Sequence, residues 1–260
     1  MKMTTSQVHL SVSGGIAAIL IDRPAARNAM TWDMYQQLGA ICKRLGSDPD
    51  IRVVTIRGAG GEAFVAGTDI EQFLAFKGEE DGIEYEKKID AMIEAIERLP
   101  MPTVAIVEGW AIGGGFALAA ACDFRIATPN ASFGVPIAKT LGNCLSMANY
   151  ARVVAAVGVP CAKRLMLLAE SIGAQEAMDC GFIMEIAEPD VLDARAASLC
   201  SRLARHAPLT MRASKEAIRR LVAAGLPDGS DLIRMCYGSQ DFRAGVDAFM
   251  EKKRPVWTGA

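Results

Sequence analysis

The sequence predicts an α/β protein built around a mostly parallel β-sheet. Short runs rich in β-branched residues alternate with helical patterns through the first half of the chain, which is typical of parallel strands joined by helical crossovers. The chain has 260 residues, of which 51% are hydrophobic, so it is long enough for a large core. Helical patterns predominate from position 190 onward. We therefore expect a core over residues 1–198 and a helical region over residues 199–260.

The first elements follow the order strand, strand, helix, strand. Residues 8–12 and 16–22 are strand-like runs around a Ser-Gly-Gly turn, which predicts a β-hairpin. Thr31 precedes a helical apolar pattern and is a good N-cap for that helix. The run at 52–57 predicts the next strand.

The loop after this strand, residues 62–73, contains the sequence Ala-Gly-Thr-Asp at 66–69. Asp69 is placed to begin a helix, where its carboxylate would meet free N–H groups, and it is either a simple helix cap or part of a binding site. The charged, glycine-punctuated segment 77–88 predicts a mobile surface segment. An apolar face from position 85 to 99 then predicts a helix that ends before two prolines.

Residues 103–123 hold the most informative pattern of the chain. A buried-strand run is joined to an alanine-rich helix by the glycines at 113–115. A helix N-terminus has unpaired N–H groups, and glycine lets a ligand approach the backbone, so the joint suits an oxyanion or a phosphate. The alternative is close helix–sheet packing alone. A dinucleotide-binding fingerprint is disfavoured because Leu118 occupies its third glycine position.

The remaining elements are short. The patterns predict a strand at 124–127, an extended piece at 131–136, helices at 143–157 and 160–170 separated by Gly158, a turn of helix at 172–177 and a strand at 182–186.

The composition excludes several classes of function. The net charge is −2 with no basic patch, so nothing indicates nucleic-acid binding. Only two histidines are present, which disfavours a His-based metal centre or a Ser-His-Asp triad, and seven cysteines without a C-x-x-C motif fit reduced thiols. No apolar run reaches the ~18 residues of a membrane span, and the first ten residues resemble no export signal. We expect a soluble, cytoplasmic protein without a metal.

Several passages, in this order along the chain, together resemble the crotonase superfamily, also called the enoyl-CoA hydratase/isomerase family. They are Arg23-Pro24 with Arg27-Asn28-Ala29, residues 64–70 (FVAGTDI), residues 109–115 with Cys122-Asp123, residues 131–136, residues 173–181, and residues 245–259 (GVDAFMEKKRPVWTG). The resemblance implies a spiral core of ββα turns and a C-terminal helical region that forms homotrimers, often paired into hexamers. It also implies an acyl-CoA thioester as the ligand, with no cofactor beyond the coenzyme A of the substrate.

The resemblance further implies which residues hold this ligand. The thioester oxygen would accept hydrogen bonds from the backbone N–H groups of Thr68 and Gly114, which form an oxyanion hole. The positions that contact coenzyme A in the family fall on Arg27, Ala66, Thr68, Asp69, Ile70 and Gly114. Phe249 and Lys252 or Lys253 in the last helix are further candidates. In the family that contact usually comes from a neighbouring subunit, and the alternative for the lysines is a solvated helix face.

The chain departs from the family at its acid and base. Hydratases of the family use two glutamates, and these fall on Ala117 and Ile137. Loss of both predicts poor hydration of simple enoyl-CoA substrates. Asn143 and Ser146 are candidates to hold a substrate group or a water, the alternative being that Asn143 caps the next helix and Ser146 lies on its surface. Two further residues complete the set of candidates: Glu71, the acid nearest to the hole in sequence, and Trp110, which is either in the acyl pocket or in the core.

Two functions remain at this point. The first is an acyl-CoA enzyme that stabilises a thioester enolate and catalyses decarboxylation, hydrolysis or isomerisation. The second is a non-catalytic acyl-CoA-binding or partner subunit that keeps the oxyanion hole for affinity alone.

Overall fold

The computed structural model describes residues 7–259. The first six residues of the predicted core and residue 260 of the predicted C-terminal region lie outside the described residues. The strands are β1 (Gln7–Ser13), β2 (Ile16–Asp22), β3 (Val53–Gly58), β4 (Ala63–Val65), β5 (Thr103–Val107), β6 (Trp110–Ile112), β7 (Phe124–Ala127), β8 (Ser132–Gly134), β9 (Ser171–Gly173) and β10 (Glu185–Ile186). The helices are α1 (Trp32–Gly46), α2 (Glu79–Glu97), α3 (Gly114–Ala121), α4 (Ile137–Thr140), α5 (Met147–Leu167), α6 (Ala174–Asp179), α7 (Leu192–Ala204), α8 (Pro208–Ala223), α9 (Ser230–Tyr237) and α10 (Gln240–Met250), with 3-10 turns at Pro24–Ala26 and Ile70–Ala75.

The strands form two sheets, and most neighbours are parallel. The larger sheet has the order β1-β2-β3-β5-β7-β10 and the smaller β4-β6-β8-β9. The pairs β1–β2 and β8–β9 are antiparallel, and the other neighbouring pairs are parallel. The predicted hairpin and the predicted mostly parallel α/β architecture are thus confirmed. Residues from both sheets and from α1, α2, α3 and α5 share one main hydrophobic core.

Helix α1 begins where the sequence predicts. The Thr31 side chain accepts a hydrogen bond from the Met34 amide at 3.3 Å, so the predicted N-cap is confirmed. Met34, Leu38 and Leu45 are buried on its inner face.

The prediction of a mobile surface segment at 77–88 is wrong, because most of that segment is the first half of α2. The Asp81 carboxylate accepts hydrogen bonds from the amides of Lys77 (2.6 Å) and Gly78 (3.1 Å), which pairs N–H groups at the helix start. Apart from Glu86, the charged residues of this segment lie outside the buried face of α2. The inner face is buried, and there Gly82 lies directly under the ring of Tyr237 from α9.

The helix predicted from position 143 begins later. Ser146 is the N-cap of α5, and the short helix α4, which the sequence did not reveal, precedes it. The predicted break is confirmed, since Gly158 has a φ of 74° within α5. The strand predicted at 182–186 is reduced to Glu185–Ile186.

The C-terminal part is helical from Leu192 onward. The predicted boundary between residues 198 and 199 falls inside α7, and the division into two regions stays a prediction. Helix α7 packs on the larger sheet, where Leu192 and Leu199 join Val104 and Ile126 in a second core cluster. Among residues 7–259, no helix is both long and apolar enough to cross a membrane.

The close packing of Tyr237 on α2 gives a first prediction. In Gly82→Ala, the new Cβ would lie 2.3 Å from Cγ of Tyr237, so the ring or the helix must move. We expect a destabilisation of about 1–3 kcal/mol, typical of overpacking. Gly46→Ala at the end of α1 is the matched control, because a Cβ there meets nothing within 4 Å. Urea unfolding measures both, and an equal stability of the two variants would contradict the packing.

Candidate active site

A cavity of about 700 Å³ opens between the loops that follow β2 and β4, the start of α3, the inner face of α2 and the segment around α4. Nine of the predicted site residues line it: Arg27, Ala66, Thr68, Asp69, Ile70, Gly114, Asn143, Phe249 and Lys252; the candidates Ser146 and Lys253 are not among the lining residues. The fold therefore brings together residues from widely separated parts of the chain in one cavity.

The amides of Thr68 and Gly114 lie side by side in this cavity. A Cβ built on Gly114 would be 3.8 Å from the Thr68 nitrogen. The Met30 amide donates to the Gly67 carbonyl and the Asp69 amide to the Met30 carbonyl, both at 2.9 Å, so the backbone on either side of Thr68 is fixed. Within residues 7–259, neither the Thr68 nor the Gly114 N–H has a hydrogen-bond acceptor. Two free, fixed donors can therefore bind one oxygen atom of a ligand.

Tyrosines support this pair of donors from behind. The Thr68 hydroxyl lies 3.0 Å from the Tyr35 hydroxyl and 3.0 Å from the Tyr85 hydroxyl. Burial raises the pKa of Tyr35 to about 12 and that of Tyr85 well above its usual value, so both stay neutral. The three hydroxyls hold Thr68 in place without adding a charge next to the donors.

A buried asparagine shapes the loop that carries Arg27. Asn28, at a φ of 59°, accepts from the Arg23 amide at 2.9 Å and donates to the carbonyls of Ala59 (2.9 Å) and Ala63 (2.7 Å). The Arg27 carbonyl in turn accepts from the Ala66 amide at 3.0 Å. These bonds attach the Arg27 loop to the Thr68 loop.

Asp69 is a helix cap, as one of the two interpretations predicts; it also lines the cavity, so its part in a binding site stays a prediction. Its Oδ1 accepts from the Glu71 amide at 3.1 Å at the start of the turn Ile70–Ala75, and its Oδ2 pairs with Arg23 at 2.7 Å. Glu71 lies at the rim of the same cavity.

The mouth of the cavity carries positive charge. Arg27 and Lys252 are exposed there, and in the described part of the chain neither forms an ion pair. Phe249, half exposed at the end of α10, lines the same mouth. Phe249 is in α10, whereas Lys252 lies just after its end, so the prediction that Lys252 is in the last helix is wrong. Both residues line the cavity of their own chain, where the family resemblance implied a contact from a neighbouring subunit.

The wall beside the two donors is apolar. Ala117 and Ile137, where the family resemblance leads us to expect the glutamates of hydratases, both line the cavity. Trp110 lines it as well and is 45% exposed, so it belongs to the pocket and not to the core.

One functional candidate was missed by sequence reasoning: Glu86 on α2, which lines the cavity and is only 2% exposed. Its carboxylate accepts from the Tyr237 hydroxyl at 2.7 Å and from the Ser146 amide at 2.9 Å. Burial raises the pKa of Glu86 to about 8, although these hydrogen bonds act in the opposite direction. The available signal was its helical phase, because Glu86 shares the buried face of Gly82, Ile89 and Ile93.

The roles expected of Asn143 and Ser146 in the structural alternative are wrong. Ser146, not Asn143, caps α5, since it accepts from the Asn149 amide at 3.1 Å, and it is buried and not on the surface. The Asn143 amide nitrogen donates to the Tyr237 hydroxyl at 3.2 Å, and its Oδ1 is buried with no partner among the described residues. Asn143 thus presents a free acceptor next to Glu86 and Tyr237.

Comparisons with known proteins agree with this architecture. A family model described as "Enoyl-CoA hydratase/isomerase" matches residues 11–260. A short-chain-enoyl-CoA hydratase of Clostridium acetobutylicum is 31% identical over 259 residues, which covers 97% of each chain. The structure of an enoyl-CoA hydratase/carnithine racemase from Magnetospirillum magneticum has 30% identity and a TM-score of 0.79 over 97% of this chain and 96% of that one. A methylmalonyl-CoA decarboxylase in complex with 2-nitronate-propionyl-CoA has 25% identity and a TM-score of 0.89 over 97% and 98%. The likeness extends over nearly the whole chain and confirms the predicted fold class.

The buried Glu86 predicts a pH dependence of stability. Its pKa is raised in the folded state from 4.5 to about 8, so folding retains a proton and stability is lost as the pH rises through that window. Glu86→Gln removes this loss. The free energy of unfolding of the variant, relative to that of the wild type, should therefore increase by on the order of a few kcal/mol from pH 5 to pH 8. Urea unfolding at both pH values measures the gain, and Glu84→Gln on the exposed face of α2 is the control. A difference between Glu86→Gln and wild type that does not change with pH would refute the raised pKa.

Proposed function

The chain belongs to the enoyl-CoA hydratase/isomerase family, and from this premise we propose that its cavity binds an acyl-CoA thioester and stabilises the thioester enolate. The observation that carries the proposal is the pair of free amides of Thr68 and Gly114 in one cavity. Two fixed donors bind an enolate oxygen, which carries negative charge, more strongly than a neutral thioester oxygen, so they lower the barrier to enolate formation.

The same proposal assigns the coenzyme A moiety to the mouth of the cavity. Arg27 and Lys252 supply unpaired positive charge for phosphate groups, and Phe249 offers an exposed aromatic surface. Ala66 and Ile70 present backbone and apolar contacts along the way to the two donors.

We propose that the reaction is not conventional hydration. Ala117 and Ile137 leave the wall next to the donors without an acid or base, and hydration of an enoyl thioester needs both. Decarboxylation fits this wall, because the breaking bond to carbon dioxide leaves its electron pair in the enolate and no base is required. The likeness to a methylmalonyl-CoA decarboxylase supports this reaction, while hydrolysis and isomerisation are further members of the same proposal.

We also propose that the chain forms homotrimers or hexamers. Helix α8 exposes large apolar side chains, among them Leu209, Ile218 and Leu221, and such a face suits contact with another subunit.

The two-donor hole is tested by removing one N–H group. Gly114 is the first residue of α3, a position that tolerates proline, so Gly114→Pro replaces the N–H hydrogen with the ring Cδ and removes the donor. Gly114→Ala keeps it and is the matched control. Both are made with Tyr35→Phe, because a Cβ at position 114 would lie 2.9 Å from the Tyr35 hydroxyl.

For this pair, turnover of a panel of acyl-CoA thioesters should fall about 100- to 1,000-fold further in the proline variant than in the alanine variant. Equal turnover of the two would rule out the hole. Binding of the panel by wild type, seen as a thermal shift, with no product from any member would favour the alternative of a non-catalytic acyl-CoA-binding or partner subunit.

The missing glutamates give a gain-of-function prediction. Wild type should hydrate crotonyl-CoA slowly, and the double variant Ala117→Glu with Ile137→Glu should raise the rate by at least about 100-fold. Each single variant is the control, since the reaction needs an acid and a base together. The absorbance of the enoyl thioester follows the reaction. Hydration by wild type at a rate typical of hydratases would show that these positions do not limit the chemistry.

A further inference from the structure

We propose that Glu86 is the proton-transfer group of this cavity, a catalytic carboxyl that protonates the α carbon of the thioester enolate and removes the same proton in the reverse direction. The inference rests on the proposed function, because it requires an enolate held by Thr68 and Gly114.

Glu86 reaches the cavity from a helix other than those that carry the expected glutamate positions. It projects from α2, whereas Ala117 lies on α3 and Ile137 on α4. The neighbouring Tyr85 bonds to the Thr68 hydroxyl, so the helix that presents the carboxyl is fixed to the loop that presents one of the two donors. The carboxyl and both donors border the same space.

The hydrogen-bond partners of Glu86 leave its charge uncompensated. The nearby Arg152 is bonded to Asp90 at 3.1 Å and to Glu97 at 2.8 Å. Among the described residues, the donors to Glu86 are neutral: the Tyr237 hydroxyl, the Ser146 amide and the Asn149 side chain. A buried carboxyl without a cation is protonated more readily than an ordinary glutamate, and neutral donors still stabilise its anion. Both protonation states are therefore accessible near neutral pH, as a proton-transfer group requires.

In the forward step, the electron pair of the enolate forms a C–H bond with the carboxyl proton. The O–H bond of Glu86 breaks, its electrons stay on the carboxylate, and the thioester carbonyl is restored. The carboxylate then accepts from the Tyr237 hydroxyl and the Ser146 amide. The Asn143 Oδ1, buried and free of partners, is available to a hydroxyl or water beside the carboxyl.

A pH test of Glu86 must take account of the titratable and charged groups near it. They are Tyr35 on α1, Tyr85 and Asp90 on α2, Cys144 before α5, Tyr150 and Arg152 on α5, and Tyr237 on α9. The pKa values of these tyrosines and of the Cys144 thiol are raised, with burial among the causes, so these groups stay protonated near neutral pH. Cys236 is an exception nearby, because a hydrogen bond with Cys144 lowers the pKa of its thiol.

The experiment measures exchange of the α hydrogens of propionyl-CoA and butyryl-CoA in D₂O by mass spectrometry across pH 5–10. Wild type should exchange them at a rate that rises with pH as Glu86 becomes a carboxylate and then levels off. In Glu86→Gln the rate of exchange should be at least about 100-fold lower, while the variant still binds the thioester. Tyr237→Phe removes a hydrogen bond that stabilises the carboxylate, so its pH profile should shift to higher pH with the exchange retained.

The controls are Glu84→Gln and Cys236→Ser. The first is the same substitution on the exposed face of α2, and the second removes a thiol that also titrates in this pH range. Both should keep the rate and the pH profile of wild type. If Glu86→Gln does not fold, the shift in Tyr237→Phe decides.

Undiminished exchange in Glu86→Gln overturns the proposal, as does an unshifted profile in Tyr237→Phe or a wild type that binds these thioesters without exchanging them. A variant that changes only KM or the preferred acyl length would make Glu86 a specificity residue instead. Failure of the oxyanion hole is distinguishable, because Gly114→Pro would then match Gly114→Ala whatever Glu86→Gln does.

Discussion

The structure depends on keeping the backbone N–H groups of two neighbouring residues that line one cavity without an acceptor among residues 7–259. An unpaired amide away from water costs free energy, so the chain must hold Thr68 and Gly114 in place by other means. Glycine residues next to each of the two donors allow the backbone conformation and the close packing that hold them. Gly67 and Gly113 have φ values of 101° and 57°, and a Cβ on Gly115 would lie 1.9 Å from the Val65 carbonyl. The start of α3 can therefore press directly against the end of β4.

Around these donors, charge and polarity are distributed unevenly. Positive side chains stand at the mouth, where phosphates are solvated, and the wall formed by Ala117 and Ile137 carries no charge. Among the described residues Glu86, on α2, is the single buried carboxyl, and it lines the same cavity. A reacting thioester would meet electrostatic stabilisation at its oxygen and a proton source elsewhere, and these two properties come from different helices. A substitution on α2 can therefore change the polar groups of the cavity while the backbone at Thr68 and Gly114 keeps its geometry.

The fold class and part of the candidate site could be predicted from sequence patterns. The hairpin, the Thr31 cap and the Gly158 break depend on local backbone rules, so they could be read directly. The glycines at 113–115 were found for the same reason, whereas Thr68 was identified through the family resemblance. Glu86 was not found, because a charged residue in a charged segment looks solvated, and only the packing of α9 and α5 on α2 buries it. The exchange of roles between Asn143 and Ser146 has the same origin, since the start of α5 is set by tertiary contacts with Glu86 and Asp90.

One absent side chain has a wider consequence. Because Gly82 has no Cβ, the ring of Tyr237 can pack closely against α2, one helical turn before Glu86. That contact is what allows the tyrosine hydroxyl to approach the carboxylate to 2.7 Å. The acidity of the buried group is thus encoded partly at a position that has no polar atom in its side chain and does not border the cavity. A substitution at position 82 could therefore change the pKa of Glu86 without changing any residue that lines the cavity.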